Sequence, residues 1–239
     1  IVLTPWLAQL MQPLHLRKHF CRCAVGSHHA FVENHDPFCL SRFIHMVRDQ
    51  NNCDLLFFSD KCQVYKAKAS DFEDSKASVL GDFVPSKLEF DKDEKPFYMA
   101  VTTDYKGYMV FVFDNGRVAK VPLSSYETKT NRKKLIKAYC EKFTLHTVIF
   151  VKEDCELLLK STNGRMLIVN TASIPARTPK DNGGVAVMTQ KKGQRISEVA
   201  FYEKGTLDGD HRYRTKNLPT AGALLKEEDS TEKQITFEV

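Results

Sequence analysis

Apolar residues in this chain gather in short runs bounded by polar turns. Three of those runs are apolar at consecutive positions: "LLFF" from Leu55, "MVFVF" from Met109 and "LLL" from Leu157. A strand with one face in solvent alternates apolar and polar side chains, so an unbroken run predicts a strand buried on both faces. Each run leads into a polar turn and a second apolar strand. The turns are Asp60-Lys61-Cys62, Asn115-Gly116 and Asn163-Gly164. Asn-Gly is the preferred dipeptide of a two-residue hairpin because it accepts the positive φ that the turn requires. The stretch "FVFDNGRVAKVPLSSY" (111–126) is the clearest of the three.

The hairpins align without gaps. "DLLFFSDKCQVYKAKASDF" from Asp54, "YMVFVFDNGRVAKVPLSSY" from Tyr108 and "ELLLKSTNGRMLIVNTASI" from Glu156 place Val64, Val118 and Met166 at one position. They place Phe72, Tyr126 and Ile174 at the closing position. The segments before them, "FIHMVRDQNNC", "FYMAVTTDYKG" and "LHTVIFVKEDC", each predict one further strand and a turn, so a unit holds at least three strands. Units start near 54, 108 and 156, and "IVLTPWLAQLMQPL" from Ile1 is a degenerate fourth start. A period near 50 with three to four strands per unit predicts an all-β, propeller-like ring of four-stranded blades, about four repeat units in all. A β-sandwich with similar hairpins is the alternative. Helix signals are few; "NRKKLIKAYCEKF" (131–143) predicts at most a short helix without a clean apolar stripe.

Charge changes this picture only through its distribution. The 35 Lys and Arg against 30 Asp and Glu leave a net +5, which permits a polyanionic partner without requiring one. Seven cysteines at irregular spacing argue against a secreted disulfide framework and for a reducing, cytoplasmic compartment. No apolar stretch reaches the roughly 18 residues of a membrane span. Cys21, Cys23, His28, His29, His35 and Cys39 suggest zinc, but Cys21-x-Cys23 is too tight for a knuckle and no second pair follows. The chain has no Walker A loop, no G-x-S-x-G elbow and no H-E-x-x-H, so no catalytic residue, metal site or cofactor is expected.

The repeated unit, an apolar strand, then "NGR(V/M)", then a strand closing near "PLSSY", resembles the C-terminal domain of the bacterial type IIA topoisomerase A subunits, those of DNA gyrase and topoisomerase IV. "YETKTNRKKLIKAY" (126–139), "NGGVAVMTQKKGQRISEV" (182–199) and "HRYRTKNLPTAGALLKEED" (211–229) extend the resemblance over about residues 43–229. Residues 1–42 match it poorly. The resemblance implies a β-pinwheel, a propeller variant whose blades exchange a strand with their neighbours. It further implies a non-catalytic, nucleoid-associated domain that binds and bends duplex DNA on its outer perimeter. Such a domain is joined to the rest of the A subunit, through which it meets the ATPase B subunit. The chain lacks the Gln-Arg-Arg-Gly-Gly box typical of gyrase, so the resemblance does not separate gyrase from topoisomerase IV.

Basic residues fall where that perimeter is expected. Arg117, Lys120, Lys129, Arg132, Lys133, Lys134 and Lys137 lie on the second strand of a hairpin and its following connection, against Glu127 alone. Arg177 and Lys180 follow the next hairpin, and Lys191, Lys192 and Arg195 flank Gly193. Repeated cationic contacts along a bent phosphate backbone need no base-edge chemistry. These residues are the expected DNA contacts; a protein-interaction propeller with ordinary solvated charge is the alternative. Residues 226–239 form an acidic tail for which simple solvation is the plainer reading. Competition with DNA for the basic rim is the sharper one, and unchanged affinity after deleting the tail would end it.

Overall fold

The computed structural model describes residues 29–30, 53–72, 82–128, 132–207, 209–215 and 217–226. The degenerate unit expected from Ile1, the candidate zinc ligands and the tail from Glu227 lie outside the described residues, apart from the short strand that contains His29. In chain order the strands are β1 (His29–Ala30), β2 (Asp54–Ser59), β3 (Val64–Lys68), β4 (Pro96–Thr102), β5 (Tyr108–Phe113) and β6 (Arg117–Pro122). They continue with β7 (Lys134–Leu135), β8 (Leu145–Val151), β9 (Glu156–Ser161), β10 (Arg165–Asn170), β11 (Val185–Ala186), β12 (Ile196–Phe201) and β13 (Ala223–Leu224). Among the described residues, helix is confined to the single turn Val84–Lys87 and a few 3-10 turns.

These strands form three sheets on one plan. Their orders are β1-β4-β2-β3-β7, β11-β6-β5-β8 and β12-β9-β10-β13, with every named pairing antiparallel. Each core is a hairpin, β2–β3, β5–β6 or β9–β10, as the repeats predict. The strand on the other side of the hairpin's first strand is the next long strand in sequence, β4, β8 or β12. So β4 and β8, which precede the second and third hairpins, close the sheets before them. The fourth strand of each sheet comes from farther along: β7 joins β3, β11 joins β6 and β13 joins β10. In the first two sheets that strand lies beyond the next hairpin, which is the strand exchange of a pinwheel. The segment expected to form a short helix instead supplies β7, because Leu135 is buried opposite Val64 in the sheet.

Over the described residues the chain divides into two compact units, Ile1–Asp104 with Thr128–Ile136, and Tyr105–Glu127 with Lys137–Val239. The first unit holds the first sheet. Leu55, Phe57, Tyr65, Met99 and Val101 build its core with Phe72 and Val84. The second unit holds the other two sheets, and its core forms where they meet. Val110, Val112 and Val118 of one sheet join Leu157, Leu159, Leu167 and Val169 of the other. On the opposite face of β5, Phe111 stacks on Tyr139 and Phe113 meets Phe143 edge-on. The run "MVFVF" is therefore buried on both sides, as its pattern predicts. "LLL" is not: β9 alternates, with Leu158 only partly buried against a small cluster of Met166, Ile168, Tyr202 and Tyr213. The closing residues Phe72, Tyr126 and Ile174 are all buried.

Candidate nucleic-acid interface

The Asn-Gly-Arg turns show how the sheets receive their fourth strand. Gly116 and Gly164 sit at φ +77°, and Cys62 takes the same position in the first hairpin at φ 56°. The Asn115 side-chain oxygen accepts the Arg117 N–H at 3.1 Å, and Asn163 accepts that of Arg165 at 3.2 Å. The arginine then crosses to the incoming strand. Arg117 donates to the carbonyls of Gly183 and Gly184 at 2.8 and 2.6 Å, and Arg165 donates to that of Gly222 at 2.8 Å. Gly184 and Gly222 occupy one structural position, with φ +63° and +70°. A side chain on either would strike the backbone of β6 or β10 at Val118 or Met166. Arg117 also lies over the Phe143 ring, 5.4 Å from its centroid. Its guanidinium holds a strand in place and is not turned outward.

Lys120 is likewise an internal residue, 5% exposed. Its ammonium pairs with Asp154, donates to the Thr171 carbonyl at 3.1 Å and lies 4.3 Å from the centroid of Tyr108. Asp154 is held below the usual carboxylate range by the Lys120 hydrogen bond, with the Thr171 hydroxyl adding to it. The expectation that Lys120 reaches phosphate is corrected: its charge is used inside the protein. Lys120→Ala should therefore cost about 2 kcal/mol of stability, through lost stem packing and the lost charge-assisted hydrogen bonds to Asp154 and the Thr171 carbonyl, as urea unfolding would read.

Two further residues of the expected set have partners. Lys134 pairs with Asp91 at 2.7 Å, and Lys180 lies over the Tyr126 ring, 5.7 Å from its centroid. Burial raises the Tyr126 phenol well above its ordinary pKa, and its hydroxyl donates to the Ala138 carbonyl at 2.7 Å. Lys129 lies outside the described residues.

The remaining residues differ in kind. Arg132 and Lys133 in the first unit, and Lys137, Arg177, Lys191, Lys192 and Arg195 in the second, are exposed. None of their side chains is held by a hydrogen bond or ion pair among the described residues. They fall on corresponding links. Arg132 and Lys133 lie between the second hairpin and β7, the fourth strand of the sheet before it, and Arg177 lies likewise between the third hairpin and β11. Lys137 lies between that fourth strand and the next long strand, as do Lys191, Lys192 and Arg195. The turn carrying the last three is fixed from below. Thr162 and Arg195 exchange hydrogen bonds, and Asn163 donates to the Gln194 side-chain oxygen at 3.0 Å. Gly193 has φ +83° with open space around it, so it serves the turn and leaves the cations projecting. Sequence reasoning missed Lys142, exposed on the same link as Lys137; its neighbour Glu141 hides it in a charge count.

Three sheets built on shared hairpins, each completed by a strand from a later segment, define an all-β protein of the β-pinwheel class. The solved structures it is similar to are of that class. The C-terminal domain of DNA topoisomerase IV matches with a TM-score of 0.57 and 23% identity, over 65% of this chain and 49% of that one. The E. coli ParC C-terminal domain matches with a TM-score of 0.58 and 12% identity, over 74% and 78%. In sequence the chain is 24% identical over 207 residues to the DNA gyrase A protein of Metamycoplasma arthritidis, which is 80% of this chain and 23% of that protein. It is 30% identical over 112 residues to the DNA gyrase A protein of Mycoplasma pneumoniae, covering 46% and 13%. The chain thus spans less than a quarter of the curated relatives' length. No protein-family model matches it. Sequence and fold comparisons agree with the resemblance that the repeated motifs carry, to the C-terminal domain of the type IIA topoisomerase A subunits. Among the described residues no helix is long and apolar enough to cross a membrane, and no cluster of His, Cys, Asp and Glu could hold a metal ion.

Proposed function

We propose that this chain is the non-catalytic C-terminal domain of a type IIA topoisomerase A subunit, and that it binds and bends duplex DNA to present a segment for strand passage. The observation that carries this reading is the recurrence of exposed, uncommitted cations on corresponding links: Arg132 and Lys133 with Arg177, and Lys137 with Lys191, Lys192 and Arg195. Cations needed only for solubility have no reason to return at equivalent points of a repeat. A ligand with phosphates at regular spacing gives them one. Arg117, Lys120 and Lys134 are left out of the contact set because each is engaged within the protein. The same proposal includes two protein partners, the remainder of the A subunit with the ATPase B subunit beyond it. It also includes a cytoplasmic, nucleoid-associated location, and no cofactor is assigned to this domain.

The test is fluorescence anisotropy with duplexes of increasing length at two salt concentrations. Affinity should rise with length beyond the statistical gain in sites and should fall steeply with salt. Absence of binding at low salt would overturn the reading.

A further inference from the structure

One departure of the first unit from the shared plan lies on its exchanged strand. Lys134 stands on the exchanged strand where the other sheets have Gly184 and Gly222, by register against β3, β6 and β10. The partner position changes with it. Where Arg117 and Arg165 cross to those glycines, this sheet has Gln63, and Gln63 donates to Asp91 Oδ2 at 3.0 Å. Asp91 Oδ1 receives the Lys134 ammonium at 2.7 Å. An arginine beside Lys134 would add a second cation at this position, and the glutamine–aspartate pair replaces it with a net negative charge.

Asp91 is anchored for this task. Its N–H donates to Glu94 Oε2 at 3.0 Å, and the Tyr65 hydroxyl donates to the same oxygen at 2.6 Å. The Ser59 hydroxyl donates to the other Glu94 oxygen. Glu94 is only 4% exposed, so a buried, fully bonded carboxylate ties the 91–94 loop to the sheet. Phe90 stacks on Tyr65 with centroids 3.9 Å apart, and Lys134 Nζ lies 5.4 Å from the Tyr65 ring centroid. The pair itself is at the surface, with Lys134 and Asp91 side chains 36% and 48% exposed, next in the chain to the uncommitted Arg132 and Lys133.

We propose that Asp91 withholds Lys134 from phosphate, so that DNA engages this segment through Arg132 and Lys133 while the anchored carboxylate keeps the third cation out of use. Asp91 is thus a positioning residue that lowers the unit's affinity for DNA. The inference rests on the proposed DNA-binding function.

The test measures duplex DNA binding by the complete chain across a salt series for the parent protein, Asp91→Asn, Lys134→Gln, their double variant and Asp93→Asn. Asparagine at 91 keeps an acceptor for Gln63, and Asp93 is an exposed acid two residues away that controls for general electrostatics. Asp91→Asn should tighten binding about three- to tenfold at low salt and steepen the slope of log K against log salt by about one. Lys134→Gln should bind like the parent, and the double variant like Lys134→Gln. Removing Lys134 then costs nothing in one background and the whole gain in the other. A gain no larger than that of Asp93→Asn, or one that survives in the double variant, would overturn the inference. So would a several-fold loss from Lys134→Gln alone, a result that also serves if Asp91→Asn fails to fold. Failure of the parent to bind DNA at low salt strikes instead at the proposed function.

Discussion

Replacing Lys191, Lys192 and Arg195 together with glutamine is expected to weaken duplex binding by about two orders of magnitude near 0.1 M salt. It should also flatten the slope of log K against log salt by about 2 to 3, since each phosphate contact contributes about 0.9 to that slope. The three side chains are exposed and project from a turn whose backbone is held by Thr162 and Asn163, so their removal should leave the fold intact. Thermal unfolding of the variant should therefore follow the parent. Salt-slope analysis separates this outcome from a loss of structure, which lowers affinity without a matching change in slope. Lys120→Ala is the complementary case, with stability lost and slope kept. A triple variant with the parent's slope would mean that this turn is not on the DNA path.

The contrast between those variants shows what was legible in the sequence. The hairpins were, because an Asn-Gly turn between apolar runs has few other uses. The two-sided burial of β5 was legible because "MVFVF" has no polar position to turn outward. Exchange of the fourth strand could not be read from the residues alone. β7, β11 and β13 are each two residues long, too short to carry a period, and each pairs with a strand well upstream. It entered only through the resemblance. The commitment of Arg117 and Lys120 was hidden for the same reason. Their partners, Gly183 and Gly184, Asp154 and Thr171, arrive from 34 to 67 residues later. A basic residue on a strand reads identically whether it faces water or a distant carbonyl. On the links, the exposed cations named above lack such partners among the described residues.

The two Asn-Gly turns, alike in sequence and in φ, should respond very differently to a methyl group. At Gly164 an added Cβ meets nothing within 4 Å, so Gly164→Ala pays only the left-handed backbone penalty of about 1 kcal/mol. At Gly116 the same atom would overlap the Met188 carbonyl oxygen. The Gly116 carbonyl accepts the N–H groups of Val187 and Met188, both at 3.0 Å, and Val187 and Met188 lie in the core shared by the two sheets of this unit. Relieving the overlap means moving that segment and weakening both bonds, so Gly116→Ala should cost about 3 kcal/mol or more. Urea unfolding of both variants, with equal m-values, would read the difference directly. The effect should reach the turn proposed to bind DNA as well, because Gln190, which packs against Gly116 and accepts the Ser161 hydroxyl at 2.7 Å, immediately precedes Lys191. Gly116→Ala should therefore lower affinity for duplex DNA under conditions where the variant is still folded, and Gly164→Ala should not. Equal stability losses in the two variants would show that the exchanged segment does not pack on the first turn as closely as the structure places it.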